Sequence, residues 1–129
     1  MTRREARELA FILLFEKTFT EDSIPEILDK ARDARGVEAD AFAERLANGA
    51  AERLAELDEM IEPGLHNWSK ERITRVALTV LRLAVYEMKF EDETPVSVAI
   101  NEAVEIAKKF GGAEDAPFIN GVLGGLARA

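Results

Sequence analysis

Apolar residues recur every three or four positions along almost the whole chain, and no stretch of useful length alternates apolar with polar. The first spacing puts side chains on one face of an α-helix, whereas a half-buried strand needs the second. The sequence therefore predicts an all-α fold. At 129 residues and 47% hydrophobic it can bury one core, and we expect a single domain over residues 1–129. With no cysteine, neither a disulfide framework nor a thiolate metal site is available. The longest apolar run near the start, Leu9 to Phe15, is too short to span a bilayer and unlike a signal peptide, so the expectation is a cytoplasmic protein without a membrane partner.

Stop and start signals divide the pattern into six or seven helices. Thr2-x-x-Glu5 reads as a capping box opening a helix from Arg3 to about Thr18. Ser23-x-x-Glu26, with Pro25 in the first turn, opens a second that should stop near Gly36. Ala39 to Met60 reads as one long amphipathic segment, with Phe42, Leu46, Ala50, Leu54, Leu57 and Ile61 on one side, ended by Pro63-Gly64. Ser69, after Trp68, is the expected cap of a helix whose stripe runs from Ile73 to Val85. After the acidic loop Glu91-Asp92-Glu93, Thr94 caps and Pro95 begins a helix to about Phe110, which Gly111-Gly112 terminates. A last helix opens near Asp115. Short connections favour antiparallel neighbours in a bundle.

The net charge of −8 argues against a polyanionic partner, but its distribution is uneven. Residues 38–62 hold eight acids against Arg45 and Arg53, while residues 69–89 hold five bases against Glu71 and Glu87. Arg3, Arg4 and Arg7 share one face of the first helix, and that face continues into Phe11 and Phe15. A rigid fork of guanidinium groups suits phosphate, which it binds through paired hydrogen bonds, and a ring beside it can stack a base. Cations at a helix N-terminus oppose the macrodipole at a cost of roughly 0.3–1 kcal/mol each. On the residues alone, an RNA or anion clamp and a solvated first turn both stay open. Catalysis finds no constellation: His66 is the only histidine and no Gly-rich phosphate loop is present. No cofactor or metal is expected.

Four segments, in order, resemble the NusB family: Arg3-Arg4-Glu5-Ala6-Arg7-Glu8, the stretch Leu81 to Glu87, the stretch Val98 to Lys108 preceded by Pro95, and Phe118 to Leu123. Together they span almost the whole chain. Glu5 stands where some members carry arginine, Pro117 where lysine is common, and Ala77-Leu78 where an acidic-basic pair is frequent. The resemblance implies a compact bundle of about seven helices in two packed sub-bundles. It also implies a non-enzymatic transcription antitermination factor. Such a protein pairs with NusE, a small-subunit ribosomal protein, binds boxA RNA of ribosomal RNA leaders, and joins an RNA polymerase antitermination complex. A homodimer is compatible with the family. On this resemblance Arg3, Arg4, Arg7, Phe15, Glu114 and Phe118 would face RNA, and the partner face would lie around the helix beginning near Ser69. Alternatives are the RNA-binding domain of a ribosomal RNA cytosine methyltransferase and a protein-only scaffold.

The remaining motif residues read as structural. Arg82, inside an apolar stripe, should pair with a buried acid, for which Glu102 is the candidate. Asn101 should satisfy helix-end backbone groups or the same network. Asn120-Gly121, inside a helical pattern, should permit close helix packing, and Trp68 should anchor the core or plug a loop.

Overall fold

The computed structural model describes residues 1–66 and 72–129. Its α-helices are α1 (Arg3–Lys17), α2 (Ile24–Arg35), α3 (Ala41–Glu52), α4 (Leu54–Ile61), α5 (Arg75–Phe90), α6 (Val96–Phe110) and α7 (Asp115–Arg128), with a 3-10 turn at Glu62–Gly64. Helices α1 to α3 pack on one another, α5 to α7 form a second group, and α4 lies on α5. Contacts of α5 with α1 and α3 join the two groups, as the two-bundle expectation requires.

Local chemistry sets most of the boundaries. Both capping boxes form: Thr2 Oγ1 accepts the Glu5 N–H at 3.0 Å while Glu5 accepts the Thr2 N–H at 2.8 Å, and Ser23 and Glu26 repeat the exchange. These bonds hold both glutamates below the usual carboxylate range. Gly36 ends α2 at φ +65°, a left-handed conformation that suits glycine.

Three expected boundaries shift. The segment from Ala39 to Met60 is two helices, capped by Asp40 and broken at Arg53, whose φ of −125° leaves the helical region. The break re-aims the apolar stripe, so Leu46 and Ala50 belong to α3, packed on α1 and α5, while Leu57 and Ile61 belong to α4, packed on α5. Helix α5 begins at Arg75, with Thr74 Oγ1 accepting the Ala77 N–H at 3.0 Å. The Ser69 cap and Trp68 lie outside the described residues, as does the start of the segment around which the partner face was expected. Pro95 is itself the N-cap of α6, because its ψ of 140° is still extended, and Val96 is the first helical residue.

The core runs through both groups, with Leu13, Leu14, Leu46, Leu57, Ile61, Leu81, Ile119 and Leu123 fully buried. Each such side chain contributes about 1.5–3 kcal/mol on leaving water. Helix α1 is central, touching α2, α3, α5 and α6. Its buried stripe includes one charge: Arg7, paired with Glu87 of α5. Arg7 Nε lies 3.0 Å from both Glu87 oxygens and Nη2 lies 2.7 Å from Oε2, with the two side chains only 8% and 4% exposed. Apolar side chains, among them Val80, Leu83, Ala103 and Ile106, surround the pair and leave about 10 Å³ of free space.

Several structural assignments change. Arg82 binds Asp58 of α4, at 2.7 and 2.8 Å, and not Glu102, because α4 packs directly on α5. Asn101, Asn120 and Gly121 are exposed. A Cβ on Gly121 would meet nothing within 4 Å, so that glycine does not serve close packing. Gly49 does: a Cβ there would overlap the Tyr86 ring, which stacks on Phe90.

Two stability outcomes follow. Gly49→Ala should cost about 1–3 kcal/mol through overpacking, measured by urea denaturation; an unchanged midpoint would mean that Tyr86 has room to move. Glu87→Ala should cost about 3–5 kcal/mol because it strands the buried Arg7 charge, and adding Arg7→Met should recover most of that loss. A small cost for Glu87→Ala alone would show that water reaches the pair.

Candidate nucleic-acid interface

The arginines that the sequence groups on one face of α1 occupy three environments. Arg3, the first residue of α1, is exposed, and its guanidinium carbon lies 4.0 Å from the centroid of the Phe42 ring on α3. No carboxylate pairs with Arg3 among the described residues. Arg4 is 59% exposed and reaches α6, donating from Nε to Glu102 Oε2 at 3.0 Å and from Nη2 to Oε1 at 3.3 Å. The hydrogen bond to Glu102, and then its charge, hold the Arg4 guanidinium above its usual value. Arg7, the expected third phosphate contact, is instead buried in its pair with Glu87. It lies one turn deeper, where α1 is already covered by its neighbours.

Phe42 draws further cations to this end of the molecule. The Arg7 and Arg45 guanidinium carbons each lie 5.3 Å from its centroid. Arg45 in turn binds Glu91 at 2.9 and 3.0 Å. Together with Glu93, Thr94, Pro95 and Val98 these groups line a pocket of about 210 Å³. Stacking on an aromatic face keeps a guanidinium in place without consuming its hydrogen-bond donors.

Phe15 follows Arg4 by eleven positions of α1, about 16 Å along the axis. Phe15 is half-buried in an aromatic series. It stacks on Phe11 at 5.6 Å, and Phe11 meets Phe110 at 5.0 Å. On the outer side, Phe19 meets Phe15 edge-on at 5.3 Å and is 64% exposed. Arg75 lies over Phe19, its guanidinium carbon 4.5 Å from the centroid, and donates from Nη1 to the Thr18 carbonyl at 3.3 Å. The sequence reading missed Phe42, Arg45, Phe19 and Arg75. The four-residue spacing of Phe11, Phe15 and Phe19 is a signal that could have found Phe19; the others come together only through tertiary packing.

Glu114 and Phe118 lie at the start of α7, which packs against α6. Glu114 is exposed, and Phe118 is half-buried in an open groove of about 690 Å³ that includes His66, Pro117 and Gly121. The neighbouring Asp115 fixes this corner: its Oδ2 accepts the Gly112 N–H at 3.0 Å and its Oδ1 accepts from Thr74 at 3.1 Å. Apart from the buried Arg7, the expected RNA-facing residues thus fall in three places: the N-terminal turn of α1, its C-terminal end, and the first turn of α7.

Among the described residues no cluster of three or more histidine, aspartate or glutamate side chains could hold a metal ion. No helix among them is long and apolar enough to cross a membrane.

The chain is similar to known proteins over nearly its whole length. It is 44% identical to the transcription antitermination protein NusB of Bacillus velezensis, over 98% of this chain and 95% of that protein. The solved structure of NusB from T. maritima superposes with a TM-score of 0.86 at 36% identity, covering 99% of this chain and 92% of that one. A chain in a crystal structure of the antitermination factors NusB and NusE in complex with double-stranded RNA gives a TM-score of 0.84 at 25% identity, covering 98% of this chain and 96% of that one. The family model for NusB matches residues 4–128, and the chain belongs to the NusB family.

Proposed function

We propose that this protein is a transcription antitermination factor, a non-enzymatic adaptor that binds boxA RNA of ribosomal RNA leaders together with NusE and so enters an RNA polymerase antitermination complex in the cytoplasm. We take residues 1–129 as one domain that does this. The observation that carries the reading is the full-length likeness to a chain in a complex of NusB, NusE and RNA, combined with an exposed guanidinium fork at Arg4.

In this reading Arg3 and Arg4 meet phosphates, and Phe15, Glu114 and Phe118 are the further RNA-facing candidates. Arg7 has a different role: buried against Glu87, it holds α1 against α5 so that the turn carrying Arg3 and Arg4 is rigid. Rigidity matters because a fork held in place loses little side-chain entropy on binding. The face is modest in charge, so its grip on RNA alone is weak. NusE, by adding its own contacts to the same RNA, converts two modest interfaces into one strong one. A protein-only scaffold is the second reading, and the −8 net charge with carboxylates on Arg4, Arg7 and Arg45 favours it.

The test is fluorescence anisotropy of labelled boxA RNA titrated with the protein, alone and with NusE, at two salt concentrations. NusE should tighten binding. Arg4→Ala should weaken it roughly three- to tenfold, with a salt slope shallower by about one unit. If the RNA is not bound even with NusE present, the scaffold reading replaces this one.

A further inference from the structure

The charges between α1 and α6 are matched in a specific way. Lys109 of α6 holds Glu8 of α1 at 2.8 Å, and Lys108 reaches Glu105 within α6 itself at 3.6 Å. Among the described residues Glu102 has no lysine. Its partner among the described residues is Arg4. The expected Arg82–Glu102 pair would have consumed this carboxylate inside the bundle, but Asp58 takes Arg82, and Glu102 is left to reach across to α1.

The geometry of that reach matters for any anion. Nε and Nη2 of Arg4 meet the two oxygens of one carboxylate, at 3.0 and 3.3 Å. Two adjacent N–H groups on two oxygens of one anion is also how a guanidinium holds phosphate. The carboxylate is the more fixed member, 17% exposed against 59% for Arg4. Glu105 and Glu8 add their negative field at the same guanidinium. A phosphate arriving at Arg4 therefore has two options. It displaces Glu102 from both donors, or it uses the remaining N–H groups and sits beside a carboxylate.

We propose that Glu102 is a resident competitor for the Arg4 guanidinium and so an affinity- and specificity-determining residue for RNA. The inference rests on the reading of Arg4 as a phosphate contact. An exposed ion pair of this kind is weak, so a phosphate already positioned by neighbouring contacts on the same RNA takes the fork. An isolated phosphate, or a polyanion that touches only this point, gains too little to exchange. Glu102 thereby lowers affinity for every RNA but lowers it most, in relative terms, for those held by nothing else. That selects for RNA presented in a fixed pose, as a partner protein on the same strand would present it.

The experiment is a double-mutant cycle on wild type, Glu102→Gln, Arg4→Ala and the double variant. Each is titrated against fluorescein-labelled boxA RNA and an unrelated RNA of equal length, with and without NusE. Glu59→Gln on α4 serves as a control for net charge, and thermal melting confirms folding. Glu102→Gln keeps the side-chain shape and removes the charge. It should tighten boxA binding roughly three- to tenfold, steepen the salt slope by up to about one unit, and narrow the preference for boxA over the unrelated RNA. In the Arg4→Ala background the gain should vanish. The proposal is overturned if Glu102→Gln leaves affinity unchanged or weakens it while wild type binds, or if the gain survives intact without Arg4 or is matched by Glu59→Gln. Failure of wild type to bind boxA with NusE present overturns the RNA reading itself, and this inference with it.

Discussion

A guanidinium and a carboxylate, both nearly inaccessible to water, tie α1 to α5 at Arg7 and Glu87. The pair sits where the two helical groups meet, on the contact between α1 and α5. Buried ion pairs of this kind add little stability compared with apolar packing, since desolvation offsets the attraction. Their effect is on uniqueness: slipping α1 by one turn against α5 would strand two charges among Val80, Leu83 and Ile106. The adjoining residues are thereby fixed too. Arg3 lies over Phe42, Arg4 faces α6, and the aromatic series from Phe110 through Phe11 and Phe15 ends at Phe19 in solvent.

The short arginine motif is therefore divided by depth. Its third arginine is part of the interior, its second faces solvent through a carboxylate partner, and its first stacks on a ring with no carboxylate on its donors among the described residues. This arrangement is how an overall charge of −8 would be compatible with the RNA-binding role proposed above. The acidic surplus repels polyanions at long range, and on the proposed function specificity would depend on contacts that form only when the RNA is held in one pose. The aromatic rings at both ends of α1 supply surfaces on which charge matters less.

The all-helical class and the two capping boxes were legible because each depends on residues close in sequence. Thr2 and Glu5 are three apart, and the cap they form needs nothing else. The break at Arg53 was hidden because both halves of the segment keep a helical stripe, and only the packing of α4 on α5 separates them. The partner of Arg82 was ambiguous for a similar reason: Asp58 and Glu102 offer the same chemistry, and tertiary geometry chose between them. Helical periodicity placed Arg3 and Arg7 on one face but carries no information about depth along that face. Gly49 and Gly121 show the same limit. The glycine inside the family-like motif is open to solvent, whereas the one without a motif is pressed against Tyr86.

The division of the arginines is tested most directly by following their Nε–H groups by nitrogen-15 NMR while boxA RNA is added. The structure predicts an Arg7 Nε–H that exchanges slowly with solvent and an Arg4 Nε–H that exchanges quickly, and the proposed function adds that the Arg4 signal moves as RNA binds while that of Arg7 keeps its position. An Arg7 signal that exchanges as fast as that of Arg3, or that follows the RNA while Arg4 stays still, would contradict the account.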